Sequence, residues 1–252
     1  MIQRLLILLV VSIMLSASSA WAQDKVYKFA VDVYYPPFSY TDEKTGELGG
    51  FDVDIAKAVC KKMNIACDVI AVPFDEIIPQ IEKGQLDVGC AGIAYTEERA
   101  KRVIYTNKYF RSSSLFLELP GTFDGITPET IKGKKVAVQA STNQEDYLRR
   151  TYGDAIEIIP LKGFDEIIKG VNDKTFDLGF IDGLPGYHYL KSDEGLNLDI
   201  VGDPVHLDDG SCMVLRKGQE AFRDRINRAI EDLRLSGEYD TINIKYFEFN
   251  VY

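Results

Sequence analysis

The sequence predicts an α/β protein built as two similar lobes, and two observations carry that expectation. The first is an internal repeat. Residues 74–92 (FDEIIPQIEKGQLDVGCAG) align without a gap on residues 164–182 (FDEIIKGVNDKTFDLGFID), sharing F-D-E-I-I and a later D-x-G. Self-similarity on this scale marks a repeated structural unit, and each copy reads as an amphipathic helix, a turn and a short apolar strand. The second is the alternation of strand and helix patterns around both copies. Such alternation implies parallel sheets covered on both faces.

Taken in chain order, residues 1–22 read as a cleavable leader. Arg4 gives a positive start, Leu5 to Leu15 are apolar apart from Ser12, and Ala20-Trp21-Ala22 offers an A-x-A cleavage site after Ala22. The run is shorter than the roughly 18 residues a membrane span requires, so the chain is expected to be exported and soluble. Val26–Val33 then reads as a strand, Asp52–Met63 as a helix and Ala66–Val72 as a strand, ahead of the first repeat copy and its strand Asp87–Cys90. Lys135–Gln139 (strand), Gln144–Tyr152 (helix) and Ile156–Pro160 (strand) stand ahead of the second. Ser112–Leu119 is expected as a first crossover and Val205–Leu215 as a strand returning to the first lobe, with Phe222–Leu235 as a closing amphipathic helix. The expected division is 23–113 plus 206–252 for one lobe and 114–205 for the other. Two connecting strands would act as hinges, and the carboxyl ends of both sets of strands would line a cleft.

Composition narrows the function. A net charge of −10 argues against nucleic acid, which needs a basic footprint, and 46% hydrophobic residues suffice for real cores. Cys60 and Cys67 sit at the end of a helix pattern and the start of a strand pattern, where a local disulfide would clasp the turn; an oxidising compartment permits it. A zinc site would need more ligands nearby than His188 and His206 can offer. Pairing of Cys90 with Cys212 is left open.

The candidate site residues come from strand ends. Asp32 ends the first strand, and the Pro-stiffened loop after it presents Tyr35 and Phe38 as an aromatic wall. Phe74 could oppose them, although its counterpart Phe164 makes a core role for Phe74 the plain alternative. The third strand runs out through Ala91, Gly92 and Ala94 to Thr96, a helix cap, and Arg99. An arginine in a first helical turn opposes the helix dipole, and its planar fork suits a carboxylate; a surface pair with Glu97 or Glu98 is the plain alternative. In the second half Gln139 ends a strand, and Thr142 and Asn143 begin a helix whose free N–H groups suit an anion. Asp182 ends the second copy where the first has Gly92, which would suit an ammonium group or a helix cap. Anion donors, a cation acceptor and aromatic walls together complement an α-amino acid.

The stretches GELGGFDVDIAKAVCKKMNIACDV, FDEIIPQIEKGQLDVGCAGIAYTEERAKRV, KGKKVAVQASTNQEDYL and GEYDTINIKYFEFNVY resemble the bacterial extracellular solute-binding proteins for polar amino acids. VCKKMNIAC and KYFEFNVY are similar to the subgroup that binds histidine, or lysine, arginine and ornithine. The resemblance implies two Rossmann-like α/β lobes joined by two hinge strands, the type II periplasmic binding protein fold. It implies a monomeric periplasmic component of an ABC importer that closes on an amino acid, without a cofactor, and meets a membrane permease. Arg99 would take the ligand carboxylate with Thr142 and Asn143 in support, and Asp182 the α-ammonium with the Gly92 carbonyl. Tyr35 and Phe74 would sandwich the side chain, and Asp32 would take its polar or cationic end. The chain departs from the family at Ala91 and Ala94, where hydroxyl residues are usual, and at Asn143, where threonine or glycine is common. Three rivals remain: a non-amino-acid solute, an enzyme of the cyclohexadienyl dehydratase type, or a receptor sensory domain. The last would be expected to continue into a membrane span, which does not follow Tyr252.

Overall fold

The computed structural model describes residues 25–42 and 44–252. The expected leader and its cleavage point lie outside the described residues. The first part of the chain forms β1 (Tyr27–Asp32), a small hairpin of β2 (Tyr40–Thr41) and β3 (Leu48–Gly49), α1 (Phe51–Met63) and β4 (Cys67–Val72). It continues through α2 (Phe74–Glu82), β5 (Val88–Ala94), the short α3 (Glu97–Ala100) and β6 (Val103–Phe110). The second unit runs through β7 (Ser114–Glu118), β8 (Lys135–Gln139), α4 (Asn143–Thr151), β9 (Glu157–Leu161), α5 (Phe164–Asn172), β10 (Leu178–Asp182), α6 (Gly183–Tyr189) and β11 (Asp199–Val205). The chain then returns with β12 (Ser211–Arg216), α7 (Glu220–Leu235) and α8 (Glu238–Asn243).

The strands form two five-stranded sheets, ordered β4-β1-β5-β12-β6 and β11-β7-β10-β8-β9. β1 runs parallel to β4 and β5, and β8 parallel to β9 and β10. β12 and β7, which follow the two crossovers, run antiparallel to their neighbours. Each crossover is short: the chain changes sheet between Phe110 and Ser114 and again between Val205 and Ser211. The sequence reading of Val205–Leu215 as one strand is corrected here. β11 stays with the second sheet, and the turn 206–210, where Gly210 has a positive φ of 132° and its N–H donates to Asp208, separates it from β12. β6, β11 and α8 were not anticipated.

The repeat acquires a physical reason in these sheets. Gly89 on β5 lies so close to α2 that a Cβ there would stand 2.7 Å from Ile77 Cγ2. Gly179 on β10 has the same relation to Ile167 of α5, at 2.8 Å. The aspartate two residues earlier ties down the neighbouring strand in both copies. Asp87 accepts the Lys28 N–H at 2.9 Å, and Asp177 accepts the Lys135 N–H at 2.8 Å. F-D-E-I-I with D-x-G therefore encodes one helix seated on one strand. The Cys60–Cys67 disulfide is present and clasps the turn from α1 to β4, whereas Cys90 and Cys212 are free and buried.

Candidate functional site

The carboxyl ends of β1, β5, β8 and β10 converge on one cleft between the two sheets. The lobes are drawn together across it. Gln139 Nε2 donates to Asp32 Oδ2 at 2.8 Å, the Tyr35 hydroxyl donates to Asp182 Oδ2 at 3.0 Å, and Arg99 Nη2 donates to the Ser141 carbonyl at 2.7 Å. Each bond joins one lobe to the other.

Eleven of the twelve residues expected from sequence line this cleft. Phe38 is the correction. It is fully buried, stacks behind Tyr35 at 4.6 Å between ring centroids, and packs against Phe51, Phe110 and Phe247. Tyr35 faces the cleft and Phe38 anchors the loop to the core. Phe74 does line the cleft, with the Arg99 guanidinium carbon 5.5 Å from its ring centroid. Phe164 lines it too, tilted against Tyr35 at 5.4 Å.

Arg99 is the only cation in the lining and is only 9% exposed. The Thr96 hydroxyl caps its helix by accepting the Arg99 N–H at 3.2 Å. The guanidinium is then held by carbonyls, Ala94 at 2.9 Å and Ser141 at 2.7 Å. None of the ion pairs among the described residues includes it. Burial pulls its pKa down, as expected of a desolvated cation.

Three carboxyls face the same space: Asp32, Asp182 and Asp208. Burial pushes Asp32 up to about 6, against the lowering effect of its bonds from Gln139 and the backbone. Asp182 is likewise pushed up to about 6, although it accepts from Ser112, Tyr35 and the Leu184 N–H. It is thus both a helix cap and a cleft carboxyl, so the two sequence readings of this residue are compatible. Thr142 caps α4 by accepting the Glu145 N–H at 3.2 Å, and Asn143 Nδ2 donates to Asp208 Oδ2 at 2.7 Å. Ala91, Gly92 and Ala94 form the wall along β5.

Sequence reasoning missed Ser112, Ser113, Ser114, Gln144, Leu207, Asp208 and Ser211, most of which lie at the two crossovers. The fold is that of the type II periplasmic binding proteins: two α/β lobes, two crossovers, and a polar cleft between them. The chain belongs to the bacterial extracellular solute-binding proteins, family 3, whose pattern it matches over residues 27–249. It is 30% identical over 244 residues to the histidine-binding periplasmic protein of Escherichia coli strain K12, covering 94% of each chain. Among solved structures it resembles an ancestral arginine-binding protein bound to arginine, with a TM-score of 0.82 and 30% identity over 88% of this chain and 98% of that one. It also resembles an ancestral amino acid-binding protein described as a precursor of cyclohexadienyl dehydratase, with a TM-score of 0.79 and 26% identity over 88% and 96%.

Proposed function

We propose that this protein is the exported, periplasmic binding component of an ABC importer and that it captures a basic amino acid between its lobes. Residues 23–113 with 206–252 act as one closing body and 114–205 as the other, and the chain works as a monomer that delivers its ligand to a membrane permease. The observation that carries this reading is the charge pattern of the cleft, in which one unpaired buried guanidinium, Arg99, stands among the carboxyls of Asp32, Asp182 and Asp208. A ligand with one carboxylate and two cationic groups complements that pattern. Arg99 takes the α-carboxylate with support from Thr142 and Asn143, Asp182 takes the α-ammonium, and Asp32 takes the charged end of the side chain. Tyr35 and Phe74 flank its aliphatic stem. The ligand bridges both lobes and so stabilises the closed form.

Binding without turnover fits this cleft. Asp32 and Asp182 are both engaged by protein donors, and His188 and His206 stand outside the lining. A thermal-shift screen of the mature protein, refolded to strip carried ligand, tests the reading. Ligand at 100 times its Kd adds roughly 2.7 kcal/mol. The expected result is a raised melting temperature with L-arginine, L-lysine, L-ornithine or L-histidine. A shift with neutral amino acids alone would remove the cationic side chain from the proposal, and no shift with any amino acid would overturn it.

A further inference from the structure

Behind the cleft wall lies a carboxyl that faces no cleft. Asp52, in the first turn of α1, is fully buried. An acid at that position ordinarily sits in solvent and complements the helix dipole; here it is turned into the core. Tyr109 of β6, also fully buried, donates its hydroxyl to Asp52 Oδ1 at 2.8 Å, while Asp52 Oδ2 has no hydrogen-bond partner. The Tyr109 oxygen in turn accepts the Gly92 N–H at 3.1 Å.

Gly92 needs such a tether. The register of β12 against β5 jumps between Cys212 and Val214, and β1 pairs with β5 only at Val88 and Gly89. The stretch 90–92 is therefore outside the paired ladder on both sides. Gly92 has a φ of 60°, in the left-handed region that glycine enters freely and leaves as freely. On the other side of this residue a Cβ would stand 2.9 Å from the Tyr35 hydroxyl, which donates to Asp182.

We propose that Asp52 and Tyr109 are positioning residues for the ligand, which together fix the Ala91–Gly92 peptide so that the cleft wall presents a backbone acceptor to the ligand's α-ammonium group. The proposal rests on the amino-acid reading above. Tethering the Gly92 N–H to the core fixes the setting of this left-handed residue, and with it the Gly92 carbonyl at the cleft wall. Asp52 does this through Oδ1, which accepts the Tyr109 hydroxyl. Burial raises its pKa, with Asp32 and Asp182 adding to the rise and the Tyr109 bond opposing it. An amide keeps the accepting oxygen, so an amide should replace the acid.

The test is calorimetric titration with the amino acid that stabilises the protein most in the screen, alongside the same compound lacking its α-amino group. Tyr109→Phe is expected to weaken binding of the amino acid about tenfold, the effect of one lost hydrogen bond, and to leave the deaminated analogue within about threefold. Asp52→Asn is expected to keep both within about threefold, and Asp52→Ala to show the selective loss again. If Tyr109→Phe does not fold, the Asp52 pair carries the test alone. An equal loss for both compounds would mean general damage to the cleft and would overturn the proposal. So would an unchanged Tyr109→Phe, or an Asp52→Asn as impaired as Asp52→Ala. A wild type that binds no amino acid would defeat the underlying reading first, and is recognised before any variant is made.

Discussion

The two copies of the repeat occupy equivalent places in the two sheets, and they have been put to different uses. What they share is scaffold. Asp87 and Asp177 hold the next strand, and Gly89 and Gly179 let Ile77 and Ile167 close on the sheet. What they do not share lies at their ends. The first copy opens with Phe74, half-buried at the cleft beside Arg99, and closes with Gly92, which offers only backbone. The second opens with Phe164, 2% exposed between Tyr35 and Tyr189, and closes with Asp182, which offers a charge. The shared aspartates and glycines mark folding; the opening phenylalanine is shared in sequence but differs in burial, and only the closing residue, glycine against aspartate, differs in chemistry.

That contrast can be broken experimentally, beginning with the phenylalanines. Phe164→Ala should cost about 4 kcal/mol of stability, the usual penalty for emptying a buried aromatic position. Phe74→Ala should cost about 1 kcal/mol and act mainly on affinity; denaturant titration of the ligand-free proteins separates the two. Comparable losses would erase the distinction between anchor and wall.

The copy ends come next. Asp182→Ala should weaken amino-acid binding by about 100-fold or more, since it leaves a buried ammonium without its partner. Asp182 also gives the site a pH dependence whose sign is fixed. Its carboxyl titrates at about 6 when folded, against 3.8 for the free group, so the folded chain takes up this proton first. Its contribution to ligand-free stability therefore falls as pH rises through that window. Asp182→Asn should lose less melting temperature than the wild type between about pH 4 and about pH 7. Affinity runs the other way and weakens as pH drops below about 6, where the carboxyl turns neutral; an affinity flat across that range would exclude Asp182 as the ammonium partner. Of the two copy ends, Gly92→Ala is expected to have the smaller effect. A methyl group 2.9 Å from the Tyr35 hydroxyl, on a left-handed residue, should displace Tyr35 from Asp182 and cost about tenfold in affinity, or roughly 1.4 kcal/mol.

The fold was legible in the sequence because strand–helix alternation and the repeat are local signals, repeated often enough to reinforce one another. The site was legible where a strand end coincided with an unusual residue, as at Arg99 after the Thr96 cap and at Asp182. Crossover residues gave no such signal. Ser112 and Asp208 reach the cleft because two short connections pass beside it, and no periodicity announces that. Phe38 shows a different limit. In the loop after β1 the sequence presents Tyr35 and Phe38 alike as cleft aromatics, and only tertiary packing decides that one faces the cleft and the other the core. Asp52 was hidden for the same reason: its helix position is ordinary, and its burial is a property of the assembled lobe.

The strand order of the first sheet also governs how the molecule is assembled. β12 lies inside that sheet, between β5 and β6, yet it follows every strand of the second. As the chain emerges in order, the 114–205 unit has all its strands available at once and can close on local contacts. β6 meanwhile has no neighbour until residues 211–216 arrive from far along the chain. Long-range pairing of this kind is slow, so the second lobe should complete first and the first last. Until then the edges of β5 and β6 stand open, and this is the interval in which a chaperone has something to protect.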